Sequence, residues 1–233
     1  MGLYYNGKKV RNLYFNGKCI TRLALGKEMT RIVEGDDFVR AEWLKGDGRA
    51  YIDTNVIVNV ATLLISTKIN RSNGTGNYFI FGSRDIVRSD DPSTSSVVVS
   101  PQLFRCDIID GNNIFDSSSI ASIELSFPTI IINGQSVTTQ RVPTTSQNTF
   151  RIFTTSVVNS GTYCFNGGIS GFVLNDGTHS LNLIPVRLLR PIPASLDANG
   201  IARNADECGM YNSVNGLFYG NVAASGSFTV SDN

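Results

Sequence analysis

The sequence predicts an all-β protein: an antiparallel double-sheet sandwich preceded by a small N-terminal β-hairpin arm. Three observations lead there. Short runs rich in Val, Ile, Thr, Phe and Tyr alternate with clusters of Gly, Asn, Asp and Ser along most of the chain, the pattern of a sandwich or barrel. No window longer than about ten residues sustains a helical apolar period. And the chain opens with a short phrase that it then repeats.

That phrase is Leu3-Tyr4-Tyr5-Asn6-Gly7-Lys8-Lys9-Val10, and Leu13-Tyr14-Phe15-Asn16-Gly17-Lys18-Cys19-Ile20 follows ten residues later. A worn third copy, Leu23-Ala24-Leu25-Gly26-Lys27, keeps the same interval. Each Asn-Gly supplies the positive φ angles of a two-residue type I′ hairpin turn. A meander this small is marginal in water without a surface to pack on. The arm is therefore expected to dock on another protein, or on copies of itself, by strand pairing and aromatic burial. The alternative is an extra hairpin laid on the chain's own sandwich. Tyr4, Tyr5, Lys8, Lys9, Arg11, Tyr14, Phe15 and Lys18 are the candidate partner-binding residues.

Charge sets the same segment apart. Residues 1–33 hold seven basic side chains against Glu28, a net +6, while the remainder holds thirteen basic and eighteen acidic, a net −5. A basic arm joined to an acidic body suggests that the arm has its own, acidic partner. Glu34-Gly35-Asp36-Asp37 reads as a polar joint, so the expected division is an arm over 1–37 and a sandwich over 38–233.

Within the body, the expected strands begin with Tyr51-Ile52-Asp53-Thr54, the run from Ala61 to Thr67, and Tyr78-Phe79-Ile80-Phe81-Gly82. Ser96 to Val99, Ser122 to Phe127, and Thr129 to Ile132 before the turn Asn133-Gly134 come next. Phe150 to Phe153, Gly168 to Leu174, and Leu183 to Arg187 complete the series. Ser122 to Phe127 alternates polar and apolar residues, so one face is expected to be buried and the other wet.

Composition narrows the function. At 233 residues the chain can bury roughly 70% of its unfolded surface without disulfide or metal. The overall charge of +1 argues against a nucleic-acid binder. Cys19, Cys106, Cys164 and Cys208 show no Cys-x-x-Cys spacing, and the single histidine is His179, so reduced thiols are expected and a zinc site is not. The start lacks the order of a signal peptide, Asn6 stands where a myristoylation motif needs Ser or Thr, and no apolar run reaches the ~20 residues of a membrane span. A protein made and folded in the cytoplasm, without membrane insertion, is the expectation.

Four phrases in order carry a resemblance. They are Ala41 to Thr54, with Tyr51-Ile52-Asp53-Thr54; Phe79-Ile80-Phe81-Gly82-Ser83-Arg84; Gly168 to Gly177 leading into Leu183-Ile184-Pro185-Val186-Arg187; and Gly209-Met210-Tyr211-Asn212-Ser213-Val214-Asn215-Gly216-Leu217-Phe218-Tyr219. Over about residues 41–230 the chain resembles the concanavalin A-like, LamG-type jelly-roll domains of bacteriophage structural proteins. It departs from them in inserting Arg190 to Glu207 before Gly-Met-Tyr. The resemblance implies a jelly roll and a virion context, and it transfers no functional residue.

Chemistry is poorly marked. A retaining glycosidase needs two carboxylates ~5–5.5 Å apart, yet Glu34-Gly35-Asp36-Asp37-Phe38 has Phe38 where a third alternate acid would stand. Asp107 and Asp110 would point to opposite faces of a strand, and Asp90-Asp91 precedes Pro92 as a solvated turn. His179 has no marked acid and serine to complete a triad. Gly46-x-Gly48 and Gly74-x-Gly76 lack the third glycine of a dinucleotide loop. Trp43 and Tyr51 read as core aromatics rather than sugar-stacking platforms, Tyr211, Phe218 and Tyr219 as core or inter-sheet anchors, and Asp53 as an acceptor for backbone donors nearby, with a calcium role as the alternative.

The expectation from sequence is thus no catalytic, metal or cofactor site. It is a bacteriophage head fibre or capsid decoration protein, displayed on the virion, whose arm anchors it to a capsid or other virion protein. A homo-oligomer, guessed as a trimer, fits a surface spike. The alternative is a tail-fibre or adhesin-type module binding a host-surface glycan through loops around 70–77, 110–116 and 159–167. A glycoside hydrolase is the remote third.

Overall fold

The computed structural model describes backbone and side chains over residues 32–71, 79–83, 118–138, 147–154 and 164–231, and backbone alone at strand residues 4–5, 8–9, 13–15, 18–20, 78, 97–99, 103–106 and 112–115. The arm contains β1 (Tyr4–Tyr5), β2 (Lys8–Lys9), β3 (Leu13–Phe15) and β4 (Lys18–Ile20). The body begins with β5 (Phe38–Arg40), β6 (Trp43–Gly46), β7 (Ile52–Asp53), β8 (Leu64–Arg71) and β9 (Tyr78–Gly82). Then come β10 (Val97–Val99), β11 (Leu103–Cys106), β12 (Asn112–Phe115), β13 (Ile120–Ser126), β14 (Thr129–Ile132) and β15 (Gln135–Thr138). The last are β16 (Arg151–Ile152), β17 (Gly167–Asn175), β18 (Ser180–Leu188), β19 (Cys208–Asn212), β20 (Phe218–Tyr219) and β21 (Phe228–Ser231).

The protein is all-β, with antiparallel sheets in a sandwich-like arrangement. One sheet runs β12-β11-β10-β9-β16-β7, and the larger runs β15-β14-β13-β8-β17-β18-β19-β20, with β5, β6 and β21 attached beside β18 and β17. Every strand ladder is antiparallel among the described residues. The inward sides meet in one apolar core. Ile52, Ile80, Phe81 and Ile152 of the smaller sheet face Ile65, Ile69, Ile123, Leu125, Phe172 and Leu183 of the larger, all buried. Phe81 and Phe172 touch edge to face across the layers at 5.4 Å between ring centroids, and Phe150 lies 5.9 Å from Phe81. Aromatic contacts of this geometry add to the area they bury.

Local sequence accounts for much of this. Ala121, Ile123 and Leu125 point inward from β13 while Ile120, Glu124 and Ser126 are exposed, as the alternation demands. The β14–β15 connection is the expected Asn133-Gly134 turn, with φ of 48° and 83°, and the Asn133 side-chain oxygen accepts from Ser122 N at 2.9 Å. Tyr78–Gly82 is a strand as read.

Other readings are corrected. Ala61 and Thr62 lie in a 3₁₀ turn, Val60–Thr62, because the Asn59 side chain accepts from Ala61 N and caps it; the strand starts only at Leu64. Tyr51 packs against the main core but is only half-buried, with the Arg151 guanidinium 4.9 Å from its ring centroid. The arm's side chains and the loops around 84–96 and 155–163 lie outside the described residues.

A second, smaller core forms where β5, β18 and the 190–207 segment meet. Ile32, Phe38, Val186, Leu188, Ile192, Leu196 and Phe218 are its buried members, and Tyr211 packs its ring 4.7 Å from that of Phe38. The segment from Arg190 to Glu207 is thus integral to the body. Inside it, Arg203 Nε donates to Asp197 Oδ2 at 2.7 Å, both side chains almost fully buried. Its backbone pairs with that of Ile192.

Candidate functional site

The strand residues of the two repeats pair in two separate two-stranded sheets. Tyr4 pairs with Lys9 and Tyr5 with Lys8; Leu13 pairs with Ile20, Tyr14 with Cys19 and Phe15 with Lys18. Each pair is its own two-stranded sheet and shares no ladder with the larger sheets among the described residues. The backbone pairings place Tyr4, Tyr5, Lys8, Lys9, Tyr14, Phe15 and Lys18 on these strands, while their side chains, and Arg11 altogether, lie outside the described residues. The third copy, Leu23 to Lys27, lies outside them as well.

Where the arm meets the body, the polar segment expected as a joint is instead built into the fold. Ile32 is only 3% exposed, within the second core. Asp37 is wholly buried. Its Oδ2 accepts from Val33 N at 2.6 Å, its Oδ1 pairs with the guanidinium of Arg190, and its carbonyl accepts from Leu189 N at 2.8 Å. Glu34 on the outside pairs with Arg40 at 2.9 Å. The physical reason is that a tight turn, with Asp37 N donating to Val33 O, turns one carboxylate inward onto a cation from β18's far end. The consequence is that Ile32 to Asp37 are fixed to the body.

The sequence motifs mostly hold the scaffold. Trp43, Ile52, Phe218 and Tyr219 are buried. Asp53 Oδ1 accepts from Asn55 N at 2.9 Å, as expected of a backbone acceptor, but Oδ2 takes Thr149 Oγ1 and Arg151 Nε at 2.9 and 3.0 Å. That ion pair joins β7 to β16. Met210 pairs with Tyr219 across the Asn215-Gly216 turn.

His179 does find an acid. Its Nδ1 lies 3.1 Å from Asp176 Oδ2, with the histidine side chain 41% exposed and the aspartate buried. Asp176 also accepts from the backbone N–H groups of Asn59, Thr178 and His179 at 2.6–2.9 Å. Burial alone pushes its carboxyl upward, but these hydrogen bonds outweigh that and hold it at about 2. Four donors on one carboxylate describe a turn lock, tying the β17–β18 turn to the 3₁₀ turn. Asp47 is held below the usual range in the same way, burial being outweighed by the N–H groups of Arg49, Ser227 and Ala50.

Among the described residues, no group of three or more His, Cys, Asp or Glu gathers as a metal site, and no helix is long and apolar enough to cross a membrane. Cys164 and Cys208 are free thiols, each pushed upward by burial. A groove of about 600 Å³ opens on the larger sheet between Ser66, Glu124, Ser126, Phe127 and Thr129. Of the loops expected to contact glycan, only Asn70, Arg71 and 164–167 are described with side chains.

Sequence reasoning missed the Asp37–Arg190 and Asp197–Arg203 pairs. The first joins residues 153 apart, which no local pattern reveals. The available signal was the apolar pair Phe38-Val39 immediately after the acidic run. No protein-family model matches the chain, and no curated protein matches it.

Proposed function

We propose that this is a bacteriophage virion structural protein, a head fibre or capsid decoration protein whose basic arm anchors it and whose jelly-roll body projects outward. One observation supports the reading: β1–β2 and β3–β4 share no ladder with either larger sheet among the described residues, in a segment, residues 1–33, of net +6 before a remainder of net −5. Small hairpins are marginal alone, so an acidic capsid or other virion protein supplies the missing surface. The repeat, the charge contrast and the phage-type phrases all support this placement. Assembly as a homo-oligomer, a trimer in the simplest spike, belongs to the same proposal. Electron microscopy of particles with and without the gene product tests it: surface knobs should vanish in its absence, and unchanged knobs would refute the placement.

The groove on the larger sheet favours a second reading, adhesion to a host-surface glycan. Ser66, Glu124, Ser126, Phe127 and Thr129 line one opening together with Ile65, Leu125, Pro128 and Ile131, the combination of apolar residues with a few polar ones found in ligand sites. A glycan array on the protein tests this. No binding at millimolar sugar would discard it.

A further inference from the structure

The arm holds two docking units where one would suffice. β1–β2 and β3–β4 have the same geometry: in each, the residue before Asn-Gly pairs with the residue after it, Tyr5 with Lys8 and Phe15 with Lys18, and the next pair out is Tyr4 with Lys9 and Tyr14 with Cys19. Residue types match at an interval of ten in seven of the eight positions from Leu3 to Val10, the exception being Lys9 against Cys19. The pairs β1–β2 and β3–β4 are separate two-stranded sheets rather than one four-stranded meander, so neither pairs its strands with the other's among the described residues. A single anchoring hairpin of one mixed composition would need no copy.

From this we infer that the arm is bivalent. Each hairpin engages one copy of the same acidic site, and the partner presents that site twice. The inference rests on the anchoring role proposed above and specifies the partner. Val10 to Asn12 join the hairpins, so Lys9 and Leu13 lie at most about 14 Å apart. Two equivalent sites that close meet most simply about a symmetry axis of a homo-oligomeric partner. Tethering turns the second contact into an intramolecular event, raising avidity by about 10²–10⁴-fold over one hairpin. The contrast of +6 on the arm also makes retention fall with salt.

The test uses the full chain and three variants lacking residues 3–12, 13–22 or 3–22, with circular dichroism to verify the body. The probe is purified particles grown without the gene product, and bound protein is quantified by co-sedimentation. Either single deletion should weaken retention by a similar factor, within the 10²–10⁴ range, and the double deletion should abolish it. If one deletion leaves retention unchanged while the other abolishes it, the arm is a single-site anchor and bivalency is wrong, though anchoring stands. If the full chain itself does not bind, both bivalency and the anchoring role fall.

Discussion

Asp37 and Arg190 lie 153 residues apart in sequence and in direct contact in the fold. The Asp37 side chain is wholly buried, whereas that of Arg190 is 39% exposed. This pair fixes Asp37, five residues after Ile32, to the body. It also joins the start of β5 to the segment after β18, next to the second core.

Removing one partner of a buried ion pair costs about 3–5 kcal/mol when the other is left uncompensated. The exposure of Arg190 reduces this, and about 2 kcal/mol is expected for Arg190→Gln. Asp37→Asn should cost a similar amount, because Val33 N and Arg190 both lose a charged acceptor. Thermal unfolding of the two single variants and the double should show a coupling of about 1–3 kcal/mol. Strictly additive losses would mean the pair contributes nothing jointly.

Asp176 makes stability depend on acid. Its carboxyl sits at about 2 in the folded protein against 3.8 ordinarily. The ionised form is therefore favoured by folding, and its contribution is complete above about pH 4. It is lost as pH falls toward 2, and is worth about 2 kcal/mol. Unfolding measured from pH 5 to 2 should decline less steeply for Asp176→Asn than for the native chain. Equal slopes would contradict the turn lock.

Two glycines should fail for different reasons. A Cβ at Gly209 would lie 2.5 Å from Phe218 Cζ and 2.5 Å from Tyr219 O, whereas at Gly134 it would meet nothing within 4 Å. Gly209→Ala should thus cost about 1–3 kcal/mol by overpacking. Gly134→Ala should cost about 1–2 kcal/mol through its positive φ alone, and Gly134→Asn should recover part of it. Denaturant midpoints distinguish these cases.

Thiol labelling offers a further check. Burial raises the Cys164 thiol and leaves it wholly covered, so little thiolate forms at pH 8. Mass spectrometry after iodoacetamide treatment should find Cys164 unmodified in the native protein and modified once it is unfolded. Rapid native labelling would contradict the packing around it.

Elements whose sequence encodes them locally were legible in advance. The alternation of β13, the Asn133-Gly134 turn and the aromatic strand Tyr78–Gly82 follow from period, turn chemistry and β-propensity. What escaped depends on contacts distant in sequence. Glu34 to Asp37 reads as a polar joint because the cation that meets Asp37 belongs to another part of the chain. The same is true of the 190–207 segment, whose Ile192 and Leu196 look like scattered apolar residues until Phe38 and Phe218 close over them. Ala61 looks like strand because it leads into the apolar-rich run from Leu63 to Thr67, whereas the Asn59 side-chain oxygen accepts from its N–H and caps a 3₁₀ turn there.

The central claim is that the leading hairpins serve a surface outside the chain. The most direct measurement compares the full protein with one lacking residues 2–31, which keeps Ile32 and Asp37, for melting temperature and for retention on particles grown without the gene product. The account predicts a melting temperature within about 3 °C of the original, equivalent to ~1 kcal/mol, together with loss of retention. A truncated protein that still holds to the particle, or that melts far lower because its own sandwich has lost support, would contradict it.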